Sequence, residues 1–518
     1  MKAQDYIISK EKFVFRADNG NLHDKKLETK PVTYFRDALN RFAKNKASIM
    51  ATIIIAILVL FAIIAPIATP YQVSDADINY AYVLPKNQLF RDLGIHFWDG
   101  GMEKTGVNKA QLDLYRGIEI ETGREVIMTE VETSEQEYMG KMQTTYSFRM
   151  DTYSAVGVKF VLLTTEEYQA LQRYQDEFNV QVIMPITDPK LRPEAMQDKG
   201  DGNIWYKTKL GKGSKTEIVY DKDGNFIPVY QLDDGTIDDL YTSKMLWEGD
   251  EKIYNYAEAK SGGMWNIRVD YREYYTYIHY LADDGITEPL FIFGTDNYGK
   301  DLFTCLASGA RFSLVLAVIV ASVNLFVGAI YGSIEGYYGG RVDIVMERIV
   351  ELLSSIPFMI VITLLKYHFN ASHILILFIS FFLTGWTGMA GRTRMQFYRF
   401  KNQEYVLVAR TLGANDSRIM FKHIFPNAIG TLITGSVLVI PGVIFSETSL
   451  SYLGIINLNT GNMTSVGTLL STGQNFLFTY PHMILFPAVF ISLLMLSFNL
   501  FGNGLRDAFN PSLRGTEE

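Results

Sequence analysis

Cysteine is almost absent from the sequence, because the 518 residues include only Cys305. A single cysteine excludes a disulfide within the chain, so every folded part must be stable without such a crosslink. The sequence places no metal or redox partner beside Cys305. We therefore expect this residue to be a small buried or interfacial side chain.

The nucleotide-binding loop G-x-x-x-x-G-K-[ST] is also missing. The stretch Lys209–Lys215 resembles it superficially but has no glycine at the required first position. Its absence excludes ATP hydrolysis by this chain, and the sequence predicts no cofactor, no metal ligands and no nucleic-acid partner. His96 and His279 have no nucleophile pattern beside them, so nothing in the sequence supports catalysis.

Acidic residues are concentrated in one part of the chain. Residues 71–290 contain 38 acidic and 23 basic side chains, whereas the rest of the chain contains 18 acidic and 25 basic ones. That remainder is otherwise very apolar. The asymmetry predicts two environments, one aqueous and one within a membrane. About 220 residues are enough for the acidic part to bury a core of its own.

Long apolar stretches, all but the third of them uncharged, predict six membrane-spanning helices, because about 20 apolar residues cross a bilayer core. The first, residues 48–70, lies in the uncharged run between Lys46 and Asp75. The other five follow the acidic part: Phe312–Ile334, Ile344–Leu365, Ile374–Gly391, Ile424–Phe445 and Met483–Gly502. The predicted fold class is therefore an α-helical membrane protein with a domain inserted between its first and second spans.

Lysine and arginine residues predict the orientation of these spans. Residues 1–47 contain eleven of them, and seven more follow the fourth span: Arg392, Arg394, Arg399, Lys401, Arg410, Arg418 and Lys422. The positive-inside rule assigns both regions to the cytoplasm of a plasma-membrane protein. We therefore expect a cytoplasmic segment 1–47, an extracellular domain 71–290, a membrane core 291–511 and a cytoplasmic tail 512–518.

Charged residues occur at the ends of two predicted spans. Glu347, Arg348 and Glu351 begin the third span, where an interfacial position or mutual pairing at helical spacing is favoured over a pathway role. Glu447 follows the fifth span at its outer end. It faces either a translocation path or water, and the sequence does not choose between the two.

The acidic part is predicted to be an α+β domain. Val156–Thr164 is a β-branched run that predicts a strand, and Thr165–Asn179 has helical periodicity. Asp221–Asn225 predicts a hairpin turn, with calcium binding as the lesser alternative because the later glutamate of a calcium loop is missing. Arg268–Leu281 is rich in tyrosine, which is typical of core and strand surface or of a protein-contacting face.

The segment 392–427 has the pattern of two short helices. The first, Glu404–Gly413, ends in a glycine suited to a helix C-terminus. Asn415 or Asp416 can cap the second, Ser417–Phe425, which is expected to stop at the following proline. We expect a compact helix–turn–helix on the cytoplasmic face. It either binds a groove on a soluble partner or lies on the membrane surface without one.

The spacing of small and apolar residues in this segment resembles the cytoplasmic "EAA" loop of ABC importer permeases. Further segments resemble, in order, the C-type permease of the dipeptide/oligopeptide (peptide/nickel) branch: Arg41–Lys46, Ala65-Pro66, Phe293–Asp301, Gly309–Leu314, Gly336–Asp343, Glu447–Gly454, Asn503–Asp507 and Asn510-Pro511. The resemblance covers residues 36–70 and 291–511. It implies six transmembrane helices of the type I ABC importer kind, and residues 71–290 then form a large extracellular insertion.

The resemblance implies that the loop docks onto an ATPase and transmits its closure to the spans. The coupling residues at the matching positions are Glu404, Leu407, Ala409, Gly413, Ala414, Ile424 and Pro426. Leu407 stands where the family commonly has a glutamate, and Glu404 lies one turn earlier. Glu447, whose position leaves a translocation path or water open, is the candidate residue for the pathway.

The implied function is that of a transmembrane subunit in an ATP-driven importer of oligopeptides or dipeptides. The implied partners are a second homologous permease, two cytoplasmic ATPases that bind ATP and Mg²⁺, an extracellular peptide-binding protein, the bilayer and the peptide. Nickel or another small solute is an alternative substrate, because related permeases share these motifs. A membrane-tethered extracellular sensor or enzyme is the other alternative, but a tether needs no loop that fits an ATPase groove.

Overall fold

The computed structural model describes residues 34–138, 141–184, 208–210, 216–218, 222, 257–458 and 463–509. Helix α1 (Tyr34–Lys44) is followed directly by α2 (Lys46–Ala68). Asn45 separates the two helices and caps α2, since its side chain accepts hydrogen bonds from the first N–H groups of that helix. The 23 residues of α2 extend about 35 Å, which is enough to cross a bilayer.

An α+β domain, here called the insert, follows α2. Its elements are α3 (Gln88–Asp92), β1 (Gly101–Val107), α4 (Lys109–Thr122), β2 (Glu132–Tyr138), β3 (Lys141–Asp151), β4 (Val158–Thr164), α5 (Thr165–Phe178), β5 (Ile183–Met184), β6 (Thr208–Leu210), β7 (Thr216–Ile218), β8 (Ala257–Lys260), β9 (Met264–Asp270) and α6 (Tyr271–Ala282). The order β1-β3-β2 makes one antiparallel sheet, and β4-β9-β5 makes a second, in which β8 also pairs with β9.

Two predicted elements of the insert are present. The run Val156–Thr164 contains β4, which pairs along its whole length with β9. The run Thr165–Asn179 contains α5, whose start is fixed by a capping box between Thr164 and Glu167. The predicted hairpin at Asp221–Asn225, with its calcium alternative, lies outside the described residues apart from position 222.

The tyrosine-rich segment is mainly a helix, not a strand. Asp270 caps it by accepting a hydrogen bond from the N–H of Arg272, and α6 follows. Tyr271, Tyr275 and Tyr277 are buried in the core of the insert. The sequence suggested a core role for this cluster, and the helical spacing of these side chains explains how the segment supplies it.

The membrane part contains eleven helices within the described residues: α7 (Leu302–Tyr338), α8 (Gly340–Ser355), α9 (Phe358–His368), α10 (His373–Gly385), α11 (Thr387–Phe400), α12 (Glu404–Thr411), α13 (Asp416–Arg418), α14 (Phe425–Val437), α15 (Val439–Tyr452), α16 (Val466–Gly473) and α17 (His482–Phe509). Among the described residues, five helical stretches can span a membrane, and the bent pair α8–α9 makes a sixth if it counts as one span. The prediction of a helical membrane protein with an α+β insertion is confirmed at this level.

The third predicted span, Ile344–Leu365, is broken in the structure. Helices α8 and α9 meet at an angle of 74°. Pro357 lacks an N–H group and restricts Ile356 to extended backbone, so α8 ends before it and α9 starts after it. Helix α2 ends at Ala68, two residues before the predicted end of the first span, because Thr69 adopts extended backbone. The other helices extend beyond the predicted apolar stretches. The span predicted as Phe312–Ile334, for example, lies inside the 37-residue helix α7.

Helices α7 and α11 approach each other closely along a stripe of glycines. A Cβ atom on Gly332 would stand 2.1 Å from the carbonyl oxygen of Ala390. Cβ atoms on Gly328 and Gly336 would stand 2.8 and 2.7 Å from carbonyl oxygens of the same partner segment. Small residues spaced by four lie on one face of a helix and allow two backbones to come into contact. This stripe therefore fixes the second span against the fourth.

The insert is fixed to one end of the membrane helices. The Trp98 indole stacks on Phe293 and on Phe486 of α17, with ring centroids 6.0 and 5.5 Å apart. The hydroxyl of Thr295, just before α7, donates to the carbonyl oxygen of Tyr80 at 2.5 Å and accepts from the N–H of Val83 at 2.9 Å. Aromatic stacking and buried hydrogen bonds thus join the two parts.

A buried ion pair holds the turn that presents Trp98. The Arg149 guanidinium donates to both carboxylate oxygens of Asp99, at 2.9 and 2.5 Å, and to the carbonyl oxygen of His96 at 2.7 Å. Burial acts to raise the pKa of Asp99, but hydrogen bonds from Arg149 and from the N–H of Gly101 outweigh it and lower the pKa. The carboxylate is therefore ionised at neutral pH.

Candidate functional site

The loop between α11 and α14 lies at the end of α7 opposite the insert. Its first helix, α12, ends in a left-handed glycine, Gly413, with φ of +82°. The N–H of Ala414 donates to the carbonyl oxygen of Ala409 at 3.1 Å, and the N–H of Gly413 donates to that of Arg410 at 3.0 Å. These two bonds form a Schellman motif, which agrees with the predicted role of Gly413 at the helix C-terminus. The turn after α12 is therefore rigid.

The second half of the loop differs from the prediction. Asn415 caps it, since its side chain accepts a hydrogen bond from the N–H of Arg418 at 2.9 Å. The predicted helix Ser417–Phe425 does not stop at Pro426. A π-helical turn, Ile419–Ile424, leads directly into α14, in which the proline occupies the first turn. Pro426 has no N–H to donate, and its missing bond falls where the π-helical turn meets α14. The helix nevertheless continues, so the second half of the loop and the fifth span form one helical stretch, Asp416–Tyr452.

A small apolar core joins the loop to two spans. Val406, Ile419 and Ile424 are fully buried against Tyr337 of α7 and Phe397 of α11. Tyr337 lies at the end of the second span, and Phe397 lies at the end of the fourth. This close packing connects α12 directly to both spans.

Polar contacts reinforce this seat. The Tyr337 hydroxyl donates to the Asp416 carboxylate at 2.6 Å and accepts a hydrogen bond from the Arg410 guanidinium at 3.4 Å. These bonds connect both halves of the loop to the last turn of α7. Other apolar side chains of α12, and Leu412 directly after it, belong to no buried cluster among the residues that the structure describes. Tyr405, Leu407, Val408 and Leu412 are 40, 47, 55 and 82% exposed.

The predicted coupling residues divide into two groups. Ala409 and Ile424 are buried and Ala414 is half-buried, so these three hold the loop on the spans. The exposed members are Glu404, Leu407, Gly413 and Pro426. The structure thus brings the predicted residues into one compact element. One side of it is buried against the spans, and the other, here called the open side, is exposed. A docking role for the open side stays a prediction.

An ion pair beside the loop, between α8 and α11, was not predicted. Arg394 of α11 donates to both carboxylate oxygens of Asp343 in α8, at 2.6 and 3.0 Å. The Tyr398 hydroxyl donates to the same carboxylate at 2.7 Å. Bidentate arginine–carboxylate pairs are among the stronger polar contacts. The sequence signals were the basic run after the fourth span and the segment Gly336–Asp343, and neither shows that these two residues pair.

The three charged residues at the start of the third span have separate partners. Arg348 and Glu351 form an exposed ion pair one turn apart, which agrees with the favoured pairing at helical spacing. The Glu347 carboxylate instead lies 3.8 Å from the guanidinium of Arg394. All three therefore have local partners near the end of the span.

Glu447 is fully buried, with no exposed surface. The fifth span continues to Tyr452, beyond its predicted end, so Glu447 lies within a helix. Its carboxylate accepts hydrogen bonds from the hydroxyls of Ser313 at 2.8 Å and Ser451 at 3.0 Å. Glu447 therefore does not face water in this structure. Its hydrogen bond with Ser313 links the fifth span to the second. A role in the translocation pathway stays a prediction.

Comparisons with known proteins agree with this architecture. A family model described as "binding-protein-dependent transport system inner membrane component" matches residues 324–515. A second model, "N-terminal TM domain of oligopeptide transport permease C", matches residues 33–87. The chain is 43% identical over 222 residues to the oligopeptide transport system permease protein OppC of Bacillus subtilis, covering 43% of this chain and 72% of that protein.

Two further likenesses are more distant. The dipeptide transport system permease protein DppC of Bacillus subtilis is 40% identical over 223 residues, covering 43% of this chain and 69% of that protein. A solved inward-facing structure of the MetNI methionine ABC transporter has 14% identity and a TM-score of 0.31, covering 39% of this chain and 96% of that chain.

Proposed function

The chain belongs to the family of binding-protein-dependent transport system inner membrane components, and from this premise we propose that it is a transmembrane subunit of an ATP-driven importer of oligopeptides or dipeptides. In this proposal the core has the type I importer arrangement and forms half of the translocation pathway. The other half comes from a second homologous permease. An extracellular peptide-binding protein delivers the peptide.

The observation that carries the proposal is the two-sided construction of the loop. Its buried side is seated on the ends of α7 and α11, and its open side presents Leu407 and Leu412 on a rigid helix. An exposed apolar helix face of this kind fits a groove on a soluble protein. We assign that groove to a cytoplasmic ATPase, two of which bind ATP and Mg²⁺ in the assembly.

Force then reaches the spans by two routes. Closure of the ATPases on ATP moves α12, which pushes on Phe397 and Tyr337 and so on the fourth and second spans. The same displacement turns the continuous helix that begins at Asp416 and forms the fifth span. Three spans thus move together, and the cavity between the two permeases changes its open side.

Uptake by the purified assembly tests the proposal. The chain is isolated with its partners, inserted into vesicles, and supplied with the binding protein outside and ATP inside. We expect ATP-dependent accumulation of labelled dipeptides and oligopeptides and none of nickel. Nickel uptake without peptide uptake would favour the small-solute alternative. A chain isolated without ATPases would favour the sensor alternative.

For the insert we propose an extracellular position, where it docks the binding protein or shapes the entrance. Its seat on Phe293 and Phe486 places it over the ends of α7 and α17. At the two ends of the segment 87–290, Lys86 donates its N–H to the carbonyl oxygen of Phe291 at 3.2 Å. The two ends of the insert therefore lie side by side.

Excision of the insert tests this role. Residues 87–290 are replaced by a short glycine–serine linker that joins the neighbouring Lys86 and Phe291. We expect uptake through the binding protein to fall by about tenfold or more, because a receptor contact is lost. Association with the ATPases should persist and serves as the folding control. Unchanged uptake together with unchanged receptor binding would remove the proposed role.

A further inference from the structure

A basic cavity opens between α11, α14 and α17, beside the loop but separate from its apolar face. Its volume is about 410 Å³, and its lining includes Arg392, Arg399, Arg506, Thr434, Leu438 and Phe509. The three arginines come from the fourth and sixth spans, which are distant in sequence. The fold, not a local motif, therefore brings them together.

The three guanidinium groups have no carboxylate partner among the residues that the structure describes. Arg392 donates one hydrogen bond to the carbonyl oxygen of Gly435 at 3.0 Å. By contrast, Arg394 pairs with Asp343, and Arg348 pairs with Glu351. Like charges that converge on one cavity repel each other and attract an anion. Guanidinium groups suit phosphate in particular, because their planar donors match its oxygens.

The cavity also reaches from the polar end of the spans toward the apolar interior. Gly435 lies ten residues into α14, which corresponds to about 15 Å of helix. Leu438 and Phe509 add apolar surface to the lining beside the charged groups. The rest of the lining is polar, with Gln396, Thr431 and Thr434 beside the arginines. Cationic and polar groups next to two apolar side chains suit a lipid headgroup with its glycerol and first acyl carbons.

We propose that this cavity binds the phosphate-bearing headgroup of an anionic phospholipid from the cytoplasmic leaflet. The leaflet rests on the orientation given under the proposed function, whereas the binding itself does not. Basic pockets between membrane helices at the cytoplasmic side recognise such headgroups through the same chemistry. A bound lipid would neutralise the arginines and join the fourth, fifth and sixth spans beside the loop.

Native mass spectrometry of the detergent-solubilised assembly tests the proposal, with phosphatidylglycerol and phosphatidylcholine as probes. The variant Arg392→Gln/Arg399→Gln/Arg506→Gln removes the three charges. The matched control, Arg36→Gln/Arg341→Gln/Arg348→Gln, removes three exposed arginines outside the cavity. A second variant, Arg399→Gln/Arg506→Gln, keeps the Arg392–Gly435 hydrogen bond and guards against a folding defect.

We expect the unmodified assembly to retain phosphatidylglycerol in preference to phosphatidylcholine. The cavity variants should lose it by about tenfold or more, and the control should keep it. Equal loss in cavity and control variants, or no preference between the lipids, would overturn the proposal. Displacement of the lipid by inorganic phosphate at millimolar concentration would assign the cavity to a free anion and also overturn it. Lipid retention is measured without transport, so failure of the proposed function would not affect the result.

Discussion

Replacing Leu412 by aspartate is expected to stop ATP-driven uptake while leaving the permease folded. Leu412 is 82% exposed at the end of α12, so its side chain contributes little to the stability of this chain. In the proposed assembly it enters an apolar groove on the ATPase. An unpaired charge buried there costs several kcal/mol, so we expect uptake to fall by about 100-fold or more.

The measurement is the uptake rate in vesicles together with the amount of ATPase that co-purifies. Leu162→Asp is the matched control, because Leu162 is 54% exposed on β4 of the insert, far from the loop in the chain. Its aspartate variant should retain both uptake and ATPase. If Leu412→Asp retained both as well, the open side of α12 would not be a docking face.

Replacing Gly332 by valine is expected to disrupt the second and fourth spans. A Cβ atom at this position would stand 2.1 Å from the carbonyl oxygen of Ala390, and two helix backbones would have to separate. Overpacking of this kind costs about 3 kcal/mol. Phe397 of α11 packs against the loop, so a displaced α11 would also disturb the contact between the loop and the spans. We therefore expect ATP-driven uptake to be lost together with stability.

The measurement is the thermal unfolding temperature of the detergent-purified assembly, with the amount of chain recovered from membranes. Gly391→Val is the matched control. Gly391 lies on α11, directly after Ala390, and a Cβ atom at this position meets no atom within 4 Å. The control should unfold at the unmodified temperature. Equal unfolding temperatures for Gly332→Val and Gly391→Val would mean that the close approach of α7 and α11 is not needed.

Much of the architecture follows from local pattern. Apolar runs of bilayer length identify the spans. The glycine and asparagine of the loop predict its turn and cap, because each acts through neighbouring backbone groups. The error at Pro426 has a physical origin. A proline is compatible both with the end of one helix and with the first turn of the next. The sequence also does not reveal the π-helical turn that precedes Pro426.

The remaining features depend on distant residues. Asp343 and Arg394 are about fifty residues apart in sequence, and no local spacing pairs them. The burial of Glu447 depends on Ser313, which comes from the second span. The glycine stripe Gly328, Gly332 and Gly336 carried a recognisable small-residue spacing, but only the structure identifies α11 as its partner. In the insert, the sheet order depends on pairings between strands that lie far apart in the chain.

Site-directed crosslinking at the loop tests the central claim most directly. Cys305 is 2% exposed, so a Leu412→Cys variant presents one reactive thiol at the loop. Native membranes are treated with a short bifunctional reagent, and the adducts are identified by mass spectrometry, with Leu162→Cys as the control. The proposal predicts an adduct between residue 412 and a P-loop ATPase that is absent from the control. A variant that forms no ATPase adduct, or forms the same adducts as the control, would contradict it.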